Sequence, residues 1–412
     1  GLLAAAACGG PAPGADDGEI SGEIRMLTPI YEGADGKKAL EAALDEFTQR
    51  HPDVDVQVDY TNYGKLNEKL TTSIASGQPY DVMLMGVGWV PPFADKGVLA
   101  ELDADEEELN GLYHQSVVEA GVYDGAVYAL PIMLDVRYGI YRKDIFAEAG
   151  IDEPPSDFAQ LRDYAKDLTE RDSSGKLERA GLDLLSLDPR QVFETFMWAA
   201  GGELFTEDGD VAFNSDKAVD ALELMTDVIV TDRSEDFGFT EPDSATGVPL
   251  VHGRAAMMLG HNNTWLEIQE TAPELIEEDK IGFFMIEEER EAMFQGGTLA
   301  TASAHSQHPG AAKALVEFLA EPEPALAANE QRGNVPALRS LLDSDYVEDN
   351  PAVQYAMENM DAAHSEGGVP AWLEIRDEFK TAVESALLEE KTPQEALDDL
   401  AEDAEDAIAR SG

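Results

Sequence analysis

Residues 37–60, KKALEAALDEFTQRHPDVDVQVDY, change period halfway along. In the first part Leu40, Leu44 and Phe47 fall on one helical face, and Pro52, which has no N–H to carry a helix on, ends it. In the second part Val54, Val56, Val58 and Tyr60 alternate with polar residues, as on a half-buried strand. Upstream, GEIRMLTPIYEG (22–33) reads as a short strand and a turn. Downstream, Leu66, Leu70 and Ile74 mark a second helix, which leads through GQPYD into the apolar run VMLM (82–85). This β-α-β-α-β order predicts an α/β fold with a parallel sheet covered by helices. Ligands are then met by the loops at the carboxyl ends of the strands. Those loops are TPIYEG (28–33), TNYGK (61–65) and GVGWVPP (86–92), rich in small, amide and aromatic residues.

The chain has 412 residues, enough for two domains, and 43% of them are hydrophobic. With 84 acidic against 28 basic residues its net charge is -56. Nucleic acid is excluded as a partner, since binding it needs clustered Lys and Arg to displace phosphate counterions. The apolar residues keep helix and strand periods almost throughout, so the acids decorate folded elements, and self-repulsion on this scale is best tolerated where salt screens it. The single cysteine, Cys8, rules out an intramolecular disulfide and a cysteine metal cluster.

Beyond residue 140 the pattern restarts. PPSDFAQLRDYAKDL (154–168) predicts a helix capped by Ser156, and Ala218, Ala221, Leu222, Met225 and Val228 form the stripe of another. FETFMWAAGGELF (193–205) is apolar and ends in a double glycine. GRAAMMLGHNNTW (253–265) reads as a strand followed by an amide-rich turn. Thr392 and Glu395 fit a capping box with Pro393 at the first helical position. His305 and His308 lack a third ligand in view and read as solvated rather than metal-binding.

One apolar strand is interrupted. In PIMLDVRYGIYRKD (131–144) Asp135 and Arg137 lie two apart, so both side chains point to the same side, and Tyr138 faces the other way. An ionised Asp accepts two hydroxyl bonds and Arg returns several donors in a fixed fork, which is the chemistry a polyhydroxylated ligand needs. The alternative is that the two bridge to each other.

Several segments together resemble the extracellular solute-binding proteins of ABC importers, specifically the sugar-binding family 1 of maltose/multiple-sugar type. They are YDVMLMGVGWVPPFADKGVLAELD (80–103), YALPIMLDVRYGIYRKDIFAEAGI (128–151) with EPPSDFAQL (153–161), GRAAMMLGHNNTW (253–265), GGTLATASAHSQHPGAAKALVEFL (296–319), RGNVPAL (332–338), and AWLEIRDEF (371–379) with KTPQEALDDL (391–400). These blocks span roughly residues 20 to 405; the departure is that the family's Gly-Pro-Trp after the MML strand is His261, Asn262, Asn263, Thr264, Trp265 here.

The resemblance implies a two-lobed periplasmic-binding-protein-like α/β fold with a ligand cleft at the hinge. Its lobes are 20–136 plus 298–335 and 137–297 plus 336–412, after a 1–19 remnant and linker. The implied ligand residues are Asp135 and Arg137; the aromatic platforms Trp89, Trp198, Trp265 and Trp372; Asn262 and Asn263; Gly297 beside Gly296; Arg332; and Tyr31, Glu32 and Tyr63 from the first-lobe loops. For each the competing role is structural: core packing for the tryptophans, turn geometry for the asparagines and glycines, a salt bridge for Arg332.

The function implied is capture of a sugar or oligosaccharide by lobe closure and delivery to membrane permease subunits. The protein would be a monomer, not an enzyme, with no cofactor and no metal. LLAAAACGGPAPGADDG (2–18) resembles the end of a lipoprotein signal, which makes Cys8 the lipid attachment point and places the protein on the outer face of the membrane. Two alternatives stand beside this. One keeps the fold but binds a polyol, a glycerophosphate, a peptide or a metal ion. The other is an extracellular glycoside hydrolase, which needs two carboxylates about 5–10 Å apart.

Overall fold

The change of period at residue 50 is where helix Gly33–Arg50 gives way to strand Val54–Tyr60. The protein was analysed as a computed structural model that describes residues 18–240 and 247–411; Cys8 lies outside the described residues. Strand Gly22–Thr28 runs parallel to Val54–Tyr60 on one side and to Val82–Gly86 on the other. Helix Gly33–Arg50 covers it with Leu40, Ala43 and Phe47, and helix Tyr63–Ala75 with Leu66 and Leu70.

The long strand Ala129–Arg142 joins the two lobes. Its first half pairs antiparallel with Met293–Ala302, which in turn pairs with Val82–Gly86. Its second half pairs antiparallel with Ala255–His261 and with Ile281–Phe284, and Leu177–Asp183 runs parallel to Ala255–His261. One sheet of eleven strands therefore passes through both lobes. At its waist, Leu134–Arg137 lies beside Phe294–Gly297, and Leu134 also pairs with Val335. Along this strand only Asp135, at the waist, and Tyr141, near its end, are half-buried, and at Asp135 one side meets a cavity.

Phe193, Phe196, Leu222, Met225, Phe379, Leu397 and Leu400 pack into one core. Helices Trp372–Leu387 and Pro393–Ser411 close it. The capping box forms as expected: Glu395 N–H donates to Thr392 Oγ1 at 3.2 Å and Thr392 N–H donates to the Glu395 carboxylate at 3.0 Å. One cap is corrected. Helix Phe158–Asp167 is capped by Asp157, whose carboxylate accepts from Gln160 N–H at 2.8 Å, while Ser156 stands one residue too early. No helix among the described residues is long and apolar enough to cross a membrane.

Candidate functional site

The waist is held by groups that replace strand pairing. Buried backbone N–H and C=O groups must find partners, and where the ladder thins out two asparagines supply them. Asn262 Oδ1 accepts from Val136 N–H at 2.9 Å and its Nδ2 donates to Gly333 C=O at 2.6 Å. Asn334 Nδ2 donates to Leu134 C=O at 2.9 Å. Gly297 has φ +146°, and a Cβ there would come within 2.4 Å of Met133 O, so only glycine lets the return strand lie this close.

Asp135 and Arg137 do share one side, and they bridge: Arg137 Nη1 donates to Asp135 Oδ1 at 3.1 Å. Arg137 is 5% exposed, and its Nε and Nη2 both donate to Gln191 Oε1, at 3.0 and 2.6 Å. His261, at the end of its strand, brings Nδ1 to 2.5 Å from Asp135 Oδ1 and into contact with Arg137 Nη1. The Asp135 side chain keeps 30% of its surface exposed, and every one of its side-chain bonds among the described residues falls on Oδ1. Burial by itself would raise the Asp135 carboxyl. His261 and Arg137 more than reverse this and hold it well below the usual carboxylate range. Burial and Arg137 also push the His261 imidazole below its ordinary value.

Asp135 lines a cavity of about 210 Å³ whose walls come from both lobes. Trp89 forms one wall: it is 4% exposed, and its ring stacks on Phe93 with centroids 6.4 Å apart. Tyr63 forms another, with its hydroxyl 2.5 Å from Thr298 Oγ1. Gly296 and Gly297 make the floor with Phe294. Arg332 reaches in beside Ile30, to whose carbonyl its Nη1 donates at 3.2 Å. Gln191, Asn334, Glu366 and Arg376 complete the wall. The arrangement offers carboxylate acceptors, guanidinium and amide donors and aromatic rings.

Behind Glu366 lies a buried ion network. Arg190, 1% exposed, donates to Glu194 Oε1 at 2.8 Å and also contacts Glu366, which Arg376 approaches at 3.3 Å. Burial pushes the Glu194 carboxyl up to about 8 despite Arg190, and its Oε2 has no partner among the described residues.

The structure brings Asp135, Trp89, Tyr63, Gly296, Gly297 and Arg332 together around the cavity. It places the others elsewhere. Arg137 stands behind Asp135 rather than on the wall. Asn262 is fully buried in its stapling role, and Asn263 is exposed at the start of helix Thr264–Thr271. Trp265 is buried against Phe283, and Trp372 is fully buried near Phe205 and Phe379, where a Cβ on Gly88 would strike its Nε1 at 2.9 Å. Trp198 stacks on His364 at 5.3 Å beside a separate hollow of about 550 Å³. Tyr31 is buried with its hydroxyl unpartnered, and Glu32 is exposed, 3.8 Å from Arg332. Burial thus sets most tryptophans apart: an indole fills core space as well as it carries a ligand.

Sequence patterns did not single out Gln191, Asn334, Glu366, Arg376 or Thr298. One signal was there: Arg190 and Glu194 sit four apart on an otherwise apolar helix, Pro189–Ala199, which marks a buried ion pair.

Two α/β lobes joined by crossing strands, with a polar cavity at the crossing, define a solute-binding protein. The chain belongs to the bacterial extracellular solute-binding protein family, whose model matches residues 32–325. It is similar to the diacetylchitobiose binding protein DasA of Streptomyces coelicolor, at 24% identity over 96% of this chain and 93% of that one. It is similar also to the galactooligosaccharide-binding protein of Bacillus subtilis, at 23% identity over 98% and 94%. Among solved structures, the GacH receptor of Streptomyces glaucescens, determined unliganded and in complex with acarbose, superposes with a TM-score of 0.77 at 22% identity, covering 95% of this chain and 99% of that one.

Proposed function

We propose that this protein is the capture subunit of an ABC importer, binding a sugar or oligosaccharide between its lobes without transforming it. The observation that carries this is the waist cavity, where Asp135 and Trp89 line one space. Hydroxyls donate to the carboxylate while the C–H faces of a sugar ring pack on aromatic planes. The cavity has the volume of about seven waters at ~30 Å³ each, which suits one sugar ring. A longer oligosaccharide requires the lobes to stand further apart.

In this reading the lobes are 20–136 plus 298–335 and 137–297 plus 336–412. The close approach of residues 134–137, 294–297 and 335 at the waist supports these boundaries. Closure about these crossings is the signal passed to the permease, since only the closed form presents both lobes together. The protein acts as a monomer outside the cell, held by a lipid on Cys8, and the acidic excess makes a surface that salt screens. Mass spectrometry of protein recovered from membranes tests the lipid. Melting in low and in high salt tests the screening, with the higher melting point expected in salt.

The deciding experiment is calorimetry with maltotriose, mannobiose, galacto-oligosaccharides and diacetylchitobiose, followed by chromatography of the sugar. Stoichiometric binding with the sugar recovered intact is expected, and the bound protein melts higher by mass action. Release of shorter sugars would overturn the capture role in favour of a hydrolase.

A further inference from the structure

His261 stands where the sequence departs from the family pattern, and the structure gives that departure a task. Its Nδ1 touches both Arg137 Nη1, which only donates, and Asp135 Oδ1, which only accepts, and it grips the carboxylate in the tautomer that carries the proton on Nδ1. Both intramolecular grips on the carboxylate therefore fall on the same oxygen. Two donors on one oxygen restrain the carboxylate and leave its other oxygen without a side-chain partner among the described residues. The long strand and Gln191 fix Arg137 from behind, and Asn262, next in the chain to His261, is stapled to Val136 and Gly333, so both grips are themselves held.

We propose that His261 is a positioning residue for ligand capture: with Arg137 it holds Asp135 Oδ1 and so presents Oδ2 to the cavity. The inference rests on the reading of Asp135 as a ligand acceptor. It carries a pH dependence. The groups that face the ring are Asp135 and Arg137 from the long strand and Arg332 from the loop before Val335, while Asp188 and Arg190 act on Arg137 from the helix start. A proton on His261 adds a second positive charge beside Arg137 and draws the carboxylate charge toward the ring. A ligand hydroxyl on Oδ2 competes for that same charge. Ligand binding therefore lowers the proton affinity of the ring, and by linkage acid weakens capture.

Two measurements test this. In the ligand-free protein, NMR titration of the imidazoles, with the His261 signal assigned by its loss in His261→Asn, follows the ring in the parent protein and in Asp135→Asn. Loss of the carboxylate must move the His261 titration to lower pH; an unmoved titration overturns the contact. In calorimetry with the four saccharides named above, each in turn, His261→Ala raises Kd about tenfold, the loss of one charge-assisted bond's worth of positioning. His261→Asn, whose amide still donates to Asp135, stays within about twofold. The parent's affinity falls as the pH drops through the His261 titration followed by NMR, while that of His261→Asn does not. Parent-like binding by His261→Ala, with binding lost in Asp135→Asn, sinks the role of His261 alone. Parent-like binding by Asp135→Asn sinks the site itself, and this inference with it.

Discussion

Asp135 and Glu194 are both carboxylates set against an arginine, Arg137 and Arg190, yet they hold their protons in opposite ways. Asp135 is kept well below the usual range and Glu194 is pushed up to about 8. Asp135 keeps part of its side chain exposed to the cavity and has Arg137 in direct contact. Glu194 is fully buried and shares Arg190 with Glu366, which leaves Oε2 without a partner among the described residues. An ion pair keeps a carboxylate charged where cationic partners are in direct contact and the remaining lone pairs reach water or ligand. Where the carboxylate is fully buried and a second acid competes for its arginine, desolvation wins.

The hardest way to break this comparison is to remove the shared base. Arg190→Met takes the shared donor from Glu194 and Glu366 in the dry interior, and should destabilise the protein by about 3–5 kcal/mol in urea unfolding. At the cavity, Asp135→Ala should weaken saccharide binding about 10- to 100-fold by calorimetry, the scale of one or two hydrogen bonds to a charged group. Its fold should be retained by circular dichroism, because the bulk of the buried core is untouched.

Glu194 sharpens the comparison through pH. In the unfolded chain it loses its proton near 4.5, in the folded protein only near 8, so between these values the folded form binds more protons and stability falls as pH rises. Glu194→Gln should flatten this fall and stabilise by about 1–3 kcal/mol at pH 8, with little effect near pH 4, as followed by melting across pH. Asp135 has the opposite sign: its contribution is present above the ordinary carboxylate range and is lost as acid protonates it. The smallest effect belongs to the platform. Trp89→Phe keeps a plane of less area and should weaken saccharide binding by about 0.5–1 kcal/mol, a few-fold in Kd, with the melting point nearly unchanged.

Much of this was legible before the fold was known. The period change at residues 50–54 and the β-α-β-α-β order predict the parallel strands that the structure contains, because hydrophobic spacing reports which face of an element is buried. The side shared by Asp135 and Arg137 follows from strand geometry alone. The tryptophans resist such inference. Trp89, Trp265 and Trp372 look alike in sequence, but Trp89 borders the cavity while the other two fill core, because the neighbours that enclose Trp372, Phe205 among them, arrive from distant parts of the chain.

By itself the sequence determined the order of helices and strands, the acidic excess and the opposed charges on one strand. These depend on local period and on composition, which each segment carries alone. Only the tertiary structure decided that His261 grips the same oxygen as Arg137, that Asn262 is a staple, and that Glu194 must share its base. Each of these depends on partners 71 to 176 positions away in the chain. Their distances and burial are set by how the sheet crosses its waist, and no spacing pattern encodes that.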